Sequence, residues 1–138
     1  MSHGGGGGGD GDERPTKYIL EGHTPVPCHD LMTWARWYEE NYLKRHVARS
    51  RIRGVLISTV FLAIDHSWSG PPILFETMTF GARFSQRLWR YQTWTEAEAG
   101  HKEIHAQVHQ ATRRRGGYQM RRCDAVKRNR RQNKKFPT

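Results

Sequence analysis

The stretch that most constrains the fold runs from Val55 to Phe80, VLISTVFLAIDHSWSGPPILFETMTF. Two runs rich in β-branched and aromatic residues flank a polar connection carrying glycine and proline, which predicts two neighbouring strands. Val55 to Ile64 is apolar on both faces apart from Ser58 and Thr59, so it should be covered on part of both sides and form the sheet centre. His66 to Pro72 is the connection. Ile73 to Phe80 then returns with Ile73, Phe75, Thr77 and Thr79 on one face and Leu74, Glu76, Met78 and Phe80 on the other.

The elements around this pair are legible from spacing and turn chemistry. Lys17 to Leu20 reads as a short edge strand, and Gly22 to Pro27 as an irregular turn, because prolines bracket Val26. Asp30 is placed as an N-cap for a helix whose Leu31, Trp34, Tyr38 and Tyr42 recur at three and four. Trp37 falls roughly opposite that stripe and is a candidate contact residue. His46 to Arg53 alternates so that Arg49, Arg51 and Arg53 share a face, either a rail of phosphate spacing or a charged edge that resists aggregation. Arg53-Gly54 offers a tight hairpin turn. Ser85 to Tyr91 is a weaker fourth strand. Thr95 and Glu98 have the form of a capping box, followed by Ala97, His101, Ile104, Val108 and Ala111 at helical spacing, with fraying expected at Gly116-Gly117. The fold class expected is α+β: an antiparallel sheet of four or five strands with two packed helices and disordered termini.

Charge divides the chain of 138 residues more sharply than composition does. Residues 1–111 hold 12 Lys/Arg and 12 Asp/Glu, whereas 112–138 hold 11 Lys/Arg against one Asp. The reading is therefore a glycine-rich disordered leader (1–16), one neutral α+β domain (17–111) and a basic disordered tail (112–138). In that tail Arg113, Arg114, Arg115, Arg121, Arg122, Lys127, Arg128, Arg130, Arg131, Lys134 and Lys135 supply a charge density suited to releasing counterions from nucleic acid, with Tyr118 and Phe136 available for stacking. Cys28 and Cys123 have neither metal nor disulfide spacing. No apolar run approaches the ~20 residues that span a bilayer, and the N-terminus lacks a signal-peptide layout, so a soluble, cytoplasmic protein without membrane association is expected.

Catalytic chemistry has a short list of candidates. Asp65 and His66 end the central strand, Glu76 lies among apolar neighbours on the next one, and His101 sits on the apolar stripe of the second helix. A helix laid over the Leu74, Glu76, Met78, Phe80 face would bring Glu76 to His101, first as a pin between helix and sheet and second as a general acid/base pair. His101 and His105 have the i, i+4 spacing of zinc ligands if Glu98 or Asp65 completes the set, but His109 is turned away and no metal site is expected. No cofactor motif is present: GxxxxGK[ST], GxSxG, HExxH and CxxC are all missing. Trp68, in the connection, is a candidate for stacking on a base or entering a protein partner.

The segments WARWYE (34–39), STVFLAIDH (58–66), GPPILFETMTFG (70–81) and YQTWTEAEAGH (91–101) resemble a family of small uncharacterised proteins of tailed phages and prophages. The resemblance covers roughly residues 17–109; it implies a phage origin, a single small domain and, with it, the cytoplasm of the infected bacterium, but no activity. The leading expectation is a non-enzymatic phage accessory protein that binds nucleic acid through its tail, helped by Arg49, Arg51 and Arg53. A module that binds and inhibits a host protein through Trp37, Trp68 and the sheet edge is the second. A small hydrolase or metal-dependent enzyme built on Asp65, His66, Glu76 and His101 is the third.

Overall fold

The computed structural model describes the backbone of residues 14–132, and side chains from 14 to 113 except that of residue 82. The chain is α+β. A two-stranded ribbon, β1 (Tyr18–Glu21) and β2 (Thr24–Pro27), leads into α1 (Leu31–Glu40). A four-stranded antiparallel sheet follows, made of β3 (His46–Ile52), β4 (Val55–Phe61), β5 (Phe75–Phe80) and β6 (Arg87–Tyr91) in the order β3-β4-β5-β6. The long helix α2 (Trp94–Gln132) closes the fold.

Val55 to Phe61 forms a central strand, as its apolar run predicts, but one face dominates its burial. Val55, Ile57, Thr59 and Phe61 are fully buried, while Leu56, Ser58 and Val60 are only partly so. The register Leu56↔Phe80, Ser58↔Met78, Val60↔Glu76 carries the same division into β5, whose inner residues are Phe75, Thr77 and Thr79. Both helices pack on that inner face. α1 and β1 close over Phe61 and Phe75, and α2 covers Val55 and Ile57 through Ile104 and Val108. Full burial of an aromatic side chain such as Phe61 or Phe75 stabilises by ~1.5–3 kcal/mol.

Local signals explain most boundaries. The Asp30 carboxylate accepts from the Thr33 N–H at 2.8 Å and caps α1. Arg53 and Gly54 both have positive φ, 44° and 83°, as the two-residue hairpin joining β3 to β4 requires. α2 begins two residues earlier than the Thr95/Glu98 box implies. Thr93 is the cap, accepting from the Glu96 N–H at 3.1 Å, while the Glu96 carboxylate reaches back to the Gln92 N–H. Ala97, His101, Ile104 and Val108 are buried, as the spacing predicts, but Ala111 is exposed.

Three expectations are corrected. Residues 24–27 form a strand rather than an irregular turn, because Pro25 and Pro27 sit on a ribbon edge where their missing N–H groups cost little. The inward face of α1 carries Trp34, Trp37 and Tyr38, and leaves Leu31 and Tyr42 exposed. Trp37 is therefore a packing residue: its ring meets Phe61 edge-on at 5.9 Å. Finally, α2 passes the Gly116-Gly117 pair and runs to Gln132. The side chains of the predicted basic tail from residue 114 onward, and the leader through residue 13, lie outside the described residues.

Gly100 lies on α2 where the Tyr91 ring presses against the helix, leaving no room for a Cβ. An exposed helical Gly→Ala exchange gains up to ~1 kcal/mol. Here overpacking reverses the sign, and Gly100→Ala is expected to lower stability by about 1–3 kcal/mol in urea unfolding.

Candidate nucleic-acid interface

With both helices on one side, the opposite face of the sheet has no covering element among the described residues. Its apolar positions are Leu56 and Val60 on β4, Met78 and Phe80 on β5, and Leu88 on β6, with Ser58 and Glu76 among them. Phe80 and Leu88 are 42% and 41% exposed. Arginines stand at its margins. β3 is an edge strand, and its exposed Arg49 and Arg51 lie opposite Ser58 and Leu56, on the same outer face. β6 is the other edge, with Arg90 opposite Glu76. The Arg90 guanidinium donates to the Glu76 carboxylate at 3.2 Å, so one charge is compensated and those of Arg49 and Arg51 are not paired within the described residues. The surface thus combines aromatic and aliphatic groups with one cationic edge, at β3, the composition that lets bases stack while phosphates meet charge.

Arg53 does not extend that rail. Its guanidinium turns to α2 and donates to the His109 carbonyl at 3.2 Å and to Thr112 Oγ1 at 3.0 Å. The positive φ of the hairpin takes it out of strand alternation. Arg113 is exposed on α2, and the remaining basic residues of 114–135 lie outside the described side chains.

The four candidate catalytic residues do not converge. Glu76 and His101 sit on opposite faces, because α2 covers the Phe75, Thr77 and Thr79 side rather than that of Glu76, Met78 and Phe80; Leu74, expected on the Glu76 face, precedes β5 and is buried in the core instead. The sequence favours the wrong face because it is richer in large apolar residues. Threonines fill the true inner face with their hydroxyls satisfied: Thr79 donates to the Phe84 carbonyl, and Thr59 and Thr77 share a hydrogen bond at 2.6 Å. Asp65 is a loop staple. Its carboxylate, 5% exposed, accepts from the Ser67 N–H at 2.8 Å and the Ile73 N–H at 3.0 Å and pairs with Arg14 at 3.0 Å. Burial alone would raise its pKa, but these donors and the Arg14 charge outweigh it and hold the carboxyl below its ordinary value. His66 is exposed beside it, and Trp68 is fully exposed at the loop tip.

His101 instead forms a buried polar network that spacing alone did not reveal. Ser50 Oγ lies 2.8 Å from Nε2, and Thr59 Oγ1 lies 2.7 Å from Nδ1. The ring bridges β3 and β4 from α2. His105 and Glu98 are exposed, and no cluster with metal-ligand character occurs among the described residues.

No family model, curated protein or solved structure matches this chain. No helix among the described residues is long and apolar enough to cross a membrane.

Burial, and secondarily the charge of nearby His105, lowers the His101 pKa. Below the ordinary imidazole value of about 6.5 the unfolded chain therefore binds more protons than the folded one. Stability contributed by the neutral ring is complete above that value and declines as pH falls through it toward the lowered folded pKa. Urea unfolding between pH 8 and 5 should show this loss, and an NMR titration should place the His101 midpoint below 6.5. The Asp65 contribution has the same sign but disappears at lower pH, below the carboxylate range of about 4.

Proposed function

We propose that the protein binds single-stranded nucleic acid, using the open sheet face as a platform and the basic C-terminal segment as its electrostatic anchor. The observation that carries this reading is the open face itself: Phe80, Met78 and Leu88 accessible on β5 and β6, with Arg49 and Arg51 along the β3 edge. Aromatic and aliphatic groups stack on bases of any sequence, and flanking guanidinium groups meet the backbone. The segment 112–138 adds 11 Lys/Arg, nine of them within the bounds of α2. Their role is sequence-independent affinity through counterion release, while the sheet face adds discrimination for unpaired strands. The role is non-enzymatic, and the resemblance to small phage proteins fits an accessory factor acting in the cytoplasm of an infected bacterium.

A second reading, a module that docks on a host protein, draws on the fully exposed Trp68. An indole at a loop tip suits insertion into a partner's pocket. Capture of a host protein that survives nuclease treatment and is lost in Trp68→Ala would favour it.

The nucleic-acid reading predicts tight retention on heparin and binding of poly(U) and oligo(dT) with a steep salt dependence. Arg49→Ala with Arg51→Ala should flatten the slope of log K against log salt by roughly 1.4, at ~0.7 per contact with a single strand. Phe80→Ala should weaken single-strand binding by about 1–3 kcal/mol while leaving the slope unchanged. Replacing Arg113, Arg114 and Arg115 by alanine should reduce affinity for single and double strands alike. Unchanged affinity and slope across all these variants would exclude the reading.

A further inference from the structure

Charge that balances along residues 1–111 is unevenly placed in space. No Asp or Glu occurs in 41–64, 77–95 or 104–123. These three stretches meet at one end of the sheet. Leu56 pairs with Phe80 there, the Gly54 backbone abuts Gly81, and Ile104 and Val108 of α2 cover Val55 and Ile57. Asp65 and Glu76 stand toward the other end of the sheet, and α2 carries its described acids within 96–103.

Exposed arginines collect at the acid-free end: Arg51 on β3, Arg53 at the β3–β4 hairpin, Arg83 and Arg87 around the β5–β6 turn, and Arg113 on α2. None of them pairs with a carboxylate among the described residues. Arg53 donates to two uncharged oxygens, the His109 carbonyl and Thr112 Oγ1, so it keeps its charge while pinning α2 to the hairpin. The Arg87 guanidinium lies over the Phe84 ring, 5.2 Å from its centre, and covers the one aromatic residue of the β5–β6 turn. From this pinned point α2 runs on through residues 113–132, about 30 Å at 1.5 Å per residue.

Guanidinium groups with no open ring beside them suit phosphates rather than bases. A duplex offers such a surface about one charge per 1.7 Å with its base faces hidden. Phe80, 42% exposed on the outer face at the same end, offers a stacking partner only to an unpaired base. Two surfaces of different chemistry therefore adjoin. We propose that the protein recognises the junction between a duplex and a single strand: the arginine end and α2 hold duplex phosphates, and the overhang runs from Phe80 across the open face. The proposal rests on single-strand binding by that face. Once one part of such a ligand is held, the other binds intramolecularly, so the joined ligand binds more tightly than either part without any new contact.

The test measures fluorescence anisotropy of the full chain, at one salt concentration, with a blunt DNA hairpin, with oligo(dT), and with the hairpin carrying that oligo(dT) as a 5′ or a 3′ tail. A tail of one polarity should give binding at least tenfold tighter than either part alone. Arg83→Ala with Arg87→Ala should weaken the blunt hairpin at least fivefold and flatten its slope of log K against log salt by roughly 1.8, at ~0.9 per phosphate contact. The same pair should change oligo(dT) affinity less than twofold. Phe80→Ala should remove most of the gain that the tail confers. Lys102→Ala, exposed on α2 within its acidic part, should leave every affinity unchanged. The proposal is overturned if both tailed hairpins bind no tighter than the better of their parts, or if the paired arginine change weakens oligo(dT) as much as the hairpin. The single-strand reading survives either result where oligo(dT) binds and requires Phe80; absence of oligo(dT) binding overturns both.

Discussion

The contact between the inner face of β4–β5 and the first turns of α2 is the constraint on which the rest of the molecule depends. Val55, Ile57, Phe61 and Phe75 are withdrawn from water only because Ala97, Ile104 and Val108 lie over or beside them, with α1 and β1 completing the cover at the Phe61 end. At the middle of that contact stands a polar network rather than a hydrophobe. His101 is held by Ser50 and Thr59, and Thr59 by Thr77. Aliphatic packing is tolerant of small shifts, whereas three hydrogen bonds of fixed direction are not. The network therefore sets where along the sheet α2 rests and which of its faces is turned inward.

One-sided coverage has a direct consequence for chemistry. Two helices occupy one face of a four-stranded sheet, and the outer face keeps Phe80, Leu88 and Met78 together with Arg49 and Arg51, which are unpaired among the described residues. In a domain with a small core, leaving such residues in water gives up burial that repacking could recover. The proposed binding surface gives those positions a reason, and the cationic β3 edge discourages sheet-to-sheet association while suiting a polyanion.

Residues proposed from sequence as chemical partners turn out to serve architecture. Asp65 ties the loop between β4 and β5 to the N-terminal segment through Arg14 and two backbone N–H groups. Glu76 neutralises Arg90 across adjacent strands. Both are ordinary solutions to a carboxylate near a sheet, and neither leaves a charge free for acid/base work at His101.

The sequence by itself determined the elements that depend on neighbours along the chain. The Asp30 cap, the Arg53-Gly54 hairpin, the central strand at Val55 and the His101 stripe all follow from side-chain period and backbone preference, which act over a few residues. Which face of the sheet is covered was decided only by tertiary structure. Alternation defines two faces of β5 but does not say which one meets a helix. Counting apolar residues selected the Glu76 side, and hydrogen bonding among Thr59, Thr77 and His101 made the threonine side the better interior. The open face depends on that choice, since it is the side that neither helix covers.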